Sequence, residues 1–254
     1  MIKTAFHPNG TMIKFSSENH LYVDEHRNTY TSVTTFIGSF FKSFDKITIA
    51  EKCANSSNPK YQGRNPDDII SEWEKEGDRG RDEGTNIHEY AENKLNGIKP
   101  PEPLSDRCRL IFKQVDKAIS ELERFYNLIG TEVLIFDPVT RIAGTIDLLM
   151  HHKGQNEVLI FDWKQNKKIN NSNVYQSGLH PINHLQDTDL NHYCLQLSLY
   201  EWLLKRGNYF PGNLKFNRAL IHLSEDDFEF IRLEDFRYEI VEMIKTKLGA
   251  TGGV

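Results

Sequence analysis

Two aspartates sit where a buried strand should not tolerate them. The stretch AGTIDLLM (143–150) places Asp147 at the centre of an apolar run. VLIFDWKQNKK (158–168) ends four consecutive apolar residues in Asp162, Trp163 and Lys164. An unbroken apolar run reads as a strand covered on both faces. Side chains at i and i+2 share a face, so Asp162 and Lys164 leave the sheet together, continuing the row of Val158 and Ile160. Charges there are costly unless paired or used. Asp147 and Asp162 occupy like positions on adjoining strands, with a turn at 151–155 between them, and should meet. Close like charges raise a pKa unless a cation separates them. Such a pair is therefore either partly protonated or a hard-metal site for Mg²⁺ or Mn²⁺. Lys164 would point at the same spot, where it could orient or help deprotonate a water that attacks phosphorus. The plainer alternative is a buried ion pair between Asp147 and Lys164, with Asp162 capping a loop.

Two helical patterns offer further candidates. In RGRDEGTNIHEYAENKL (79–95), His88 and Glu92 share a face beside the apolar stripe of Ile87, Ala91 and Leu95, and Glu89 faces solvent. In HYCLQLSLYEWLLK (192–205), His192, Gln196 and Tyr200 form one ridge, next to a core stripe of Leu195, Leu199, Trp202 and Leu203. Gln196 and Tyr200 suit hydrogen bonding to a phosphate or to the lysine, or are ordinary boundary residues.

The elements that must position these groups follow from periodicity and punctuation. A small hairpin spans 12–30. Thr31 or Ser32 caps a helix through Phe40, and Asp45 starts another to Cys53. Asn65-Pro66 opens a helix ending at Gly77, and a longer one runs from Arg79 to Leu95. After the Pro100–Pro103 break comes a helix over 105–128, then strands over 131–137, 141–150 and 156–164. A polar loop from Gln165 to Asp189 is long enough to read as a substrate-contacting flap. A helix (190–205), two strands (216–222, 228–233) and a helix (234–248) follow. The glycine-rich tail ending at Val254 is expected to be mobile. Gly144 is expected to allow close approach of another backbone.

The chain has 254 residues, 38% hydrophobic and 26% charged, which fits a soluble globular protein built on one large core. No apolar signal core or membrane-length run occurs, so an intracellular, cytoplasmic location is expected. Three scattered cysteines (Cys53, Cys108, Cys194) support neither a disulfide framework nor a CxxC metal site. The net charge of -5 argues against coating nucleic acid by bulk charge, while leaving room for a local basic groove.

The order of these features resembles the RecB-type branch of the PD-(D/E)XK nuclease superfamily: GTNIH on a helix, Glu132 on a strand, then GTID, DWK and QLSLY. The likeness covers Gly84 to Tyr200. The YTSVTT segment (30–35) is similar to the lead-in of phage and mitochondrial genome-maintenance exonucleases of that branch. The resemblance implies a mixed α/β fold, with a central sheet flanked by helices in a restriction-endonuclease-like core. It implies one nuclease domain over 1–254, divided into a mainly helical N-terminal elaboration with a hairpin (1–77) and the core (78–250). Asp147, Asp162, His88 and the Trp163 backbone carbonyl would bind Mg²⁺ or Mn²⁺, with Glu132 and Glu92 as further candidates. Lys164 would be the catalytic lysine, supported by Gln196 and Tyr200. Several relatives carry a four-cysteine iron–sulfur cluster; these three cysteines predict none. Arg79, Arg81, Lys167 and Lys168 are candidate phosphate contacts, and Trp163, Tyr175, Phe44 and Trp73 candidate base-stacking residues.

The expected activity is metal-dependent exonucleolytic hydrolysis of DNA, single-stranded by preference, threaded through a helical arch before His88. A replication, recombination or repair setting follows, with partners from those processes and a phage-encoded origin in a bacterial host. Two alternatives stay open: a flap or junction endonuclease, and a non-catalytic DNA-binding protein on a nuclease fold.

Overall fold

The structure is a computed structural model that describes residues 2–251; the tail residues 252–254 lie outside the described residues. A nine-stranded mixed sheet organises the chain, with helices on both faces. The N-terminal part runs through four short strands, β1 (Ile2–Phe6), β2 (Met12–Ser16), β3 (Leu21–Asp24) and β4 (Thr29–Ser32), paired antiparallel in sequence order. Strands β2 to β4 fall in the predicted hairpin region; β1 was not expected. Ser32 then caps the short helix α1 (Val33–Gly38), its side chain accepting from the Thr35 N–H. Asp45 caps α2 (Lys46–Ala54) in the same way through Thr48.

The next helix corrects the sequence reading. Gly77 does not end it: α3 is continuous over thirty residues, Pro66–Leu95. Glycine costs about 1 kcal/mol inside a helix, a penalty that favourable packing at both ends can exceed. Ile69 is fully buried towards the N-terminal end, where Lys46 of α2 pairs with Glu74. Ile87 and Ala91 are fully buried near the other end. Helix α4 (Asp106–Phe125) runs directly into β5 (Tyr126–Asp137), followed by β6 (Ile142–His152), β7 (Glu157–Lys164), α5 (Asp189–Arg206), β8 (Lys215–Leu223), β9 (Phe228–Arg232) and α6 (Arg237–Thr251).

Strand β7 is buried on both faces, as its apolar run requires. Val158 and Ile160 pack with α1, α5 and α6, while Leu159, Phe161 and Trp163 pack with α3 and α4. Trp163 is 2% exposed, so its ring belongs to the core and cannot stack on a base, contrary to the sequence expectation. β7 pairs in parallel with β8 along its whole length, but with β6 only from Val158 to Phe161. β6 has β5 along one edge. Its other edge is shared between β7, at 148–151, and β4, which pairs in parallel at Ile142 and Ala143. The segment Gly144–Asp147 lies where these two partners have separated. That fork is where the chemistry-bearing residues gather.

Candidate active site

Extending the β6–β7 register one step past Leu148 and Phe161 would set Asp147 opposite Asp162. The ladder stops before that step. The Trp163 N–H instead donates to Asp147 Oδ2 at 3.0 Å. The two carboxylates then take different partners. Asp162, 2% exposed, forms an ion pair with Lys164 through Oδ2 and accepts from Gln196 Nε2 at 3.0 Å through Oδ1. Gln196 also lies 3.3 Å from the Tyr200 hydroxyl, and the Lys164 ammonium sits 4.8 Å from the centre of the Tyr193 ring. The alternative ion pair between Asp147 and Lys164 is thus replaced by one between neighbours on a single strand.

Asp147 faces His88 and Glu132. Among the described residues these three offer ligand atoms all within 4.8 Å of one another. Helix α3 brings His88 to the fork, with Nδ1 3.4 Å from Asp147 Oδ2 and Nε2 3.1 Å from the Trp163 carbonyl oxygen. Glu132 falls between the pairs Thr131–Leu148 and Val133–Ile146, in register with Asp147. Its φ of 48° lies in the left-handed region, which costs a non-glycine residue on the order of 1 kcal/mol. Strain of this kind collects at functional sites.

The electrostatics fit a cation. Burial, then the charge of Asp162, pushes the Asp147 carboxyl up to about 8. Burial, then Asp147, raises Glu132. Burial lowers His88, which favours a neutral imidazole carrying one proton. Either neutral tautomer leaves an acceptor facing an acceptor, at Asp147 or at the Trp163 carbonyl, and a proton or a metal ion relieves that clash. Two carboxylates, an imidazole and a carbonyl suit Mg²⁺ or Mn²⁺. For Lys164, burial works against the charge, but Asp162 and Asp147 outweigh it and raise its pKa. That shift favours the ammonium form of Lys164, a hydrogen-bond donor. Tyr200 is raised by burial and then by the same two aspartates, which keeps its hydroxyl protonated.

A cleft of ≈ 660 Å³ opens onto this fork, bounded by Ser32, Val33 and Thr34 of the YTSVTT segment and by Arg81, Glu92 and Glu132. A side chain at Gly144 would meet the Tyr200 ring at 2.6 Å and Val33 at 2.9 Å. Gly144 thus admits two side chains, where the approach of another backbone was expected. Of the candidate phosphate contacts, Arg79, Arg81, Lys167 and Lys168 are all exposed, and Arg81 pairs with Asp78. Tyr175 and Phe44 are exposed, whereas the Trp73 indole lies 3.3 Å from the Tyr61 hydroxyl. His192 stays apart from the fork, held 2.8 Å from Asp187 and packed on Phe41.

Two features were not read from the sequence. Gln165 ties the end of β7 to both neighbouring helices, accepting from Arg107 at 2.6 and 2.7 Å and donating to the Gly80 carbonyl at 3.0 Å. A side chain at Gly84 would meet it at 2.9 Å, so GTNIH begins with glycine for a packing reason. Lys3, on β1, reaches Glu132 at 3.4 Å and Glu92 at 3.6 Å. The alternation of MIKTAF was the only trace of that strand.

The chain matches the PD-(D/E)XK nuclease superfamily over residues 41–247 and belongs to it. Two solved structures are similar at low identity. One, titled a "Putative exonuclease" from Eubacterium rectale, is 13% identical over 69% of this chain and 68% of that one, with a TM-score of 0.39. The other, SSO0001, is 15% identical over 65% and 74%, with a TM-score of 0.30. Similarity at this level adds nothing to the superfamily assignment. No curated protein matches the chain. Among the described residues no helix is long and apolar enough to cross a membrane.

Proposed function

We propose that the protein is a divalent-metal-dependent DNA exonuclease of the RecB-type branch, acting on single-stranded DNA. The observation that carries the nuclease reading is the convergence of Asp147, His88, Glu132 and the Trp163 carbonyl beside the Asp162–Lys164 pair. The exonuclease and single-strand parts rest on the order of the motifs and on the YTSVTT lead-in. The same likeness supports reading the whole chain as one nuclease domain, working with replication or recombination proteins.

A divalent ion held by those four groups would polarise the scissile phosphate and acidify a water. Asp162 fixes the position of Lys164, and Gln196 fixes Asp162. The Lys164 ammonium then donates to the attacking water or to a phosphate oxygen, orienting the attack and offsetting charge as it develops. The Tyr200 hydroxyl accepts from Gln196 Nε2 and helps hold that amide against Asp162. Addition of water across the P–O3′ bond leaves a 5′-phosphate and a 3′-hydroxyl. Arg79 and Arg81 on one side, and Lys167 and Lys168 on the other, would hold flanking phosphates.

End-labelled single-stranded and duplex DNA, incubated with Mg²⁺, Mn²⁺ or EDTA, tests this reading. Successive shortening that needs metal and is lost in Asp147→Asn supports it. A single internal cut near a flap or junction would favour the endonuclease alternative. Metal-dependent binding with no cleavage of any substrate would favour the non-catalytic one.

A further inference from the structure

Lys3, on β1, bridges Glu132 and Glu92, at 3.4 Å and 3.6 Å, and makes a separate ion pair from that of Lys164 with Asp162. A second divalent ion sharing Glu132 with the first would draw on these same two carboxylates, which the ammonium already engages. Around the fork stand four carboxylates, Asp147, Asp162, Glu132 and Glu92, and two ammonium groups, Lys3 and Lys164. A second ion would have to displace the Lys3 ammonium from Glu132 and Glu92.

We infer that Lys3 is a built-in cation that fills the second-metal position, so that the site binds a single divalent ion. The inference rests on the metal-site reading above and names a residue far from every motif in the chain. Lys3 is a positioning residue: it touches Glu132 and Glu92, and it acts on the bound ion through them.

Mn²⁺ binding, followed by titration calorimetry and by the electron paramagnetic resonance of the bound ion, tests the inference without any cleavage readout. The expected results are one Mn²⁺ per chain in wild type and in Lys3→Arg, and two in Lys3→Met, with a spin-coupled signal from the adjacent pair. Adding Glu92→Gln to Lys3→Met should weaken the second binding step at least tenfold. Two ions in wild type, or one ion in a folded Lys3→Met, would overturn the role of Lys3 while leaving the metal site intact. Failure of wild type to bind any Mn²⁺ that Asp147→Asn abolishes would overturn the site itself, and the inference with it. Circular dichroism establishes that each variant is folded before it is scored.

Discussion

Asp162 and Lys164 are a pair that stability and chemistry use together. Removing the ammonium leaves a carboxylate with 3% side-chain exposure to Gln196 alone, and stranding a buried charge costs about 3 kcal/mol. Lys164→Met should lower unfolding stability by that order, and Asp162→Asn combined with it should recover most of the loss, as read by urea denaturation. A single variant that is as stable as wild type would show the pair to be solvated. Asp147 behaves differently, because its carboxyl is pushed up to about 8 from an ordinary value of 3.8. A carboxyl raised on folding favours the folded state fully below its unfolded pKa, and that contribution is lost as pH rises through 8. In EDTA, Asp147→Asn should therefore gain in melting temperature relative to wild type from pH 5 to pH 9. Mn²⁺ should stabilise wild type more at pH 9 than at pH 6, because the ion and the proton compete for one site.

At the level of elements, the site depends on how β6, α1 and α5 close on one another. Gly144 of β6 lies under Tyr200 of α5 and Val33 of α1, with no room for a methyl group. Gly144→Ala should cost about 1–3 kcal/mol through overpacking, and it should shift Tyr200 away from Gln196. Thermal unfolding measures the first effect. Loss of nuclease activity greater than the stability loss predicts would register the second, and unchanged activity would mean that Tyr200 has no part in positioning. The motif order was legible because each motif falls at an element's end or on one face. The fork was not, because it needs β4 and β7 to divide one edge of β6, and local periodicity carries no sign of that division.

Across the whole molecule, a net charge of -5 means that DNA must be drawn by local positive groups. Each phosphate contact to a single strand contributes ~0.7 to the slope of log affinity against log salt. Replacing Lys167 and Lys168 together by alanine should flatten that slope by about 1.4 without altering the circular dichroism spectrum. An unchanged slope would remove both lysines from the substrate path. Arg81 borders both the cleft at the fork and the groove beside Phe44 and Trp73, so those two surfaces are continuous along α3.

The sequence by itself determined the strands that carry Asp147, Asp162 and Lys164, the helices that carry His88, Gln196 and Tyr200, and their order. Charged residues at the ends or centres of apolar runs are anomalies that local chemistry makes visible. The sequence placed both aspartates at one meeting point. Only the tertiary structure decided that Asp147 turns to His88 and Glu132 while Asp162 turns to Lys164, because the β6–β7 ladder stops one residue short of joining them. Only the tertiary structure brought Lys3 to Glu132, across 129 residues of chain. Contacts between distant segments depend on which strand edges pair, and that choice is made by the burial of whole faces and not by any neighbour in sequence.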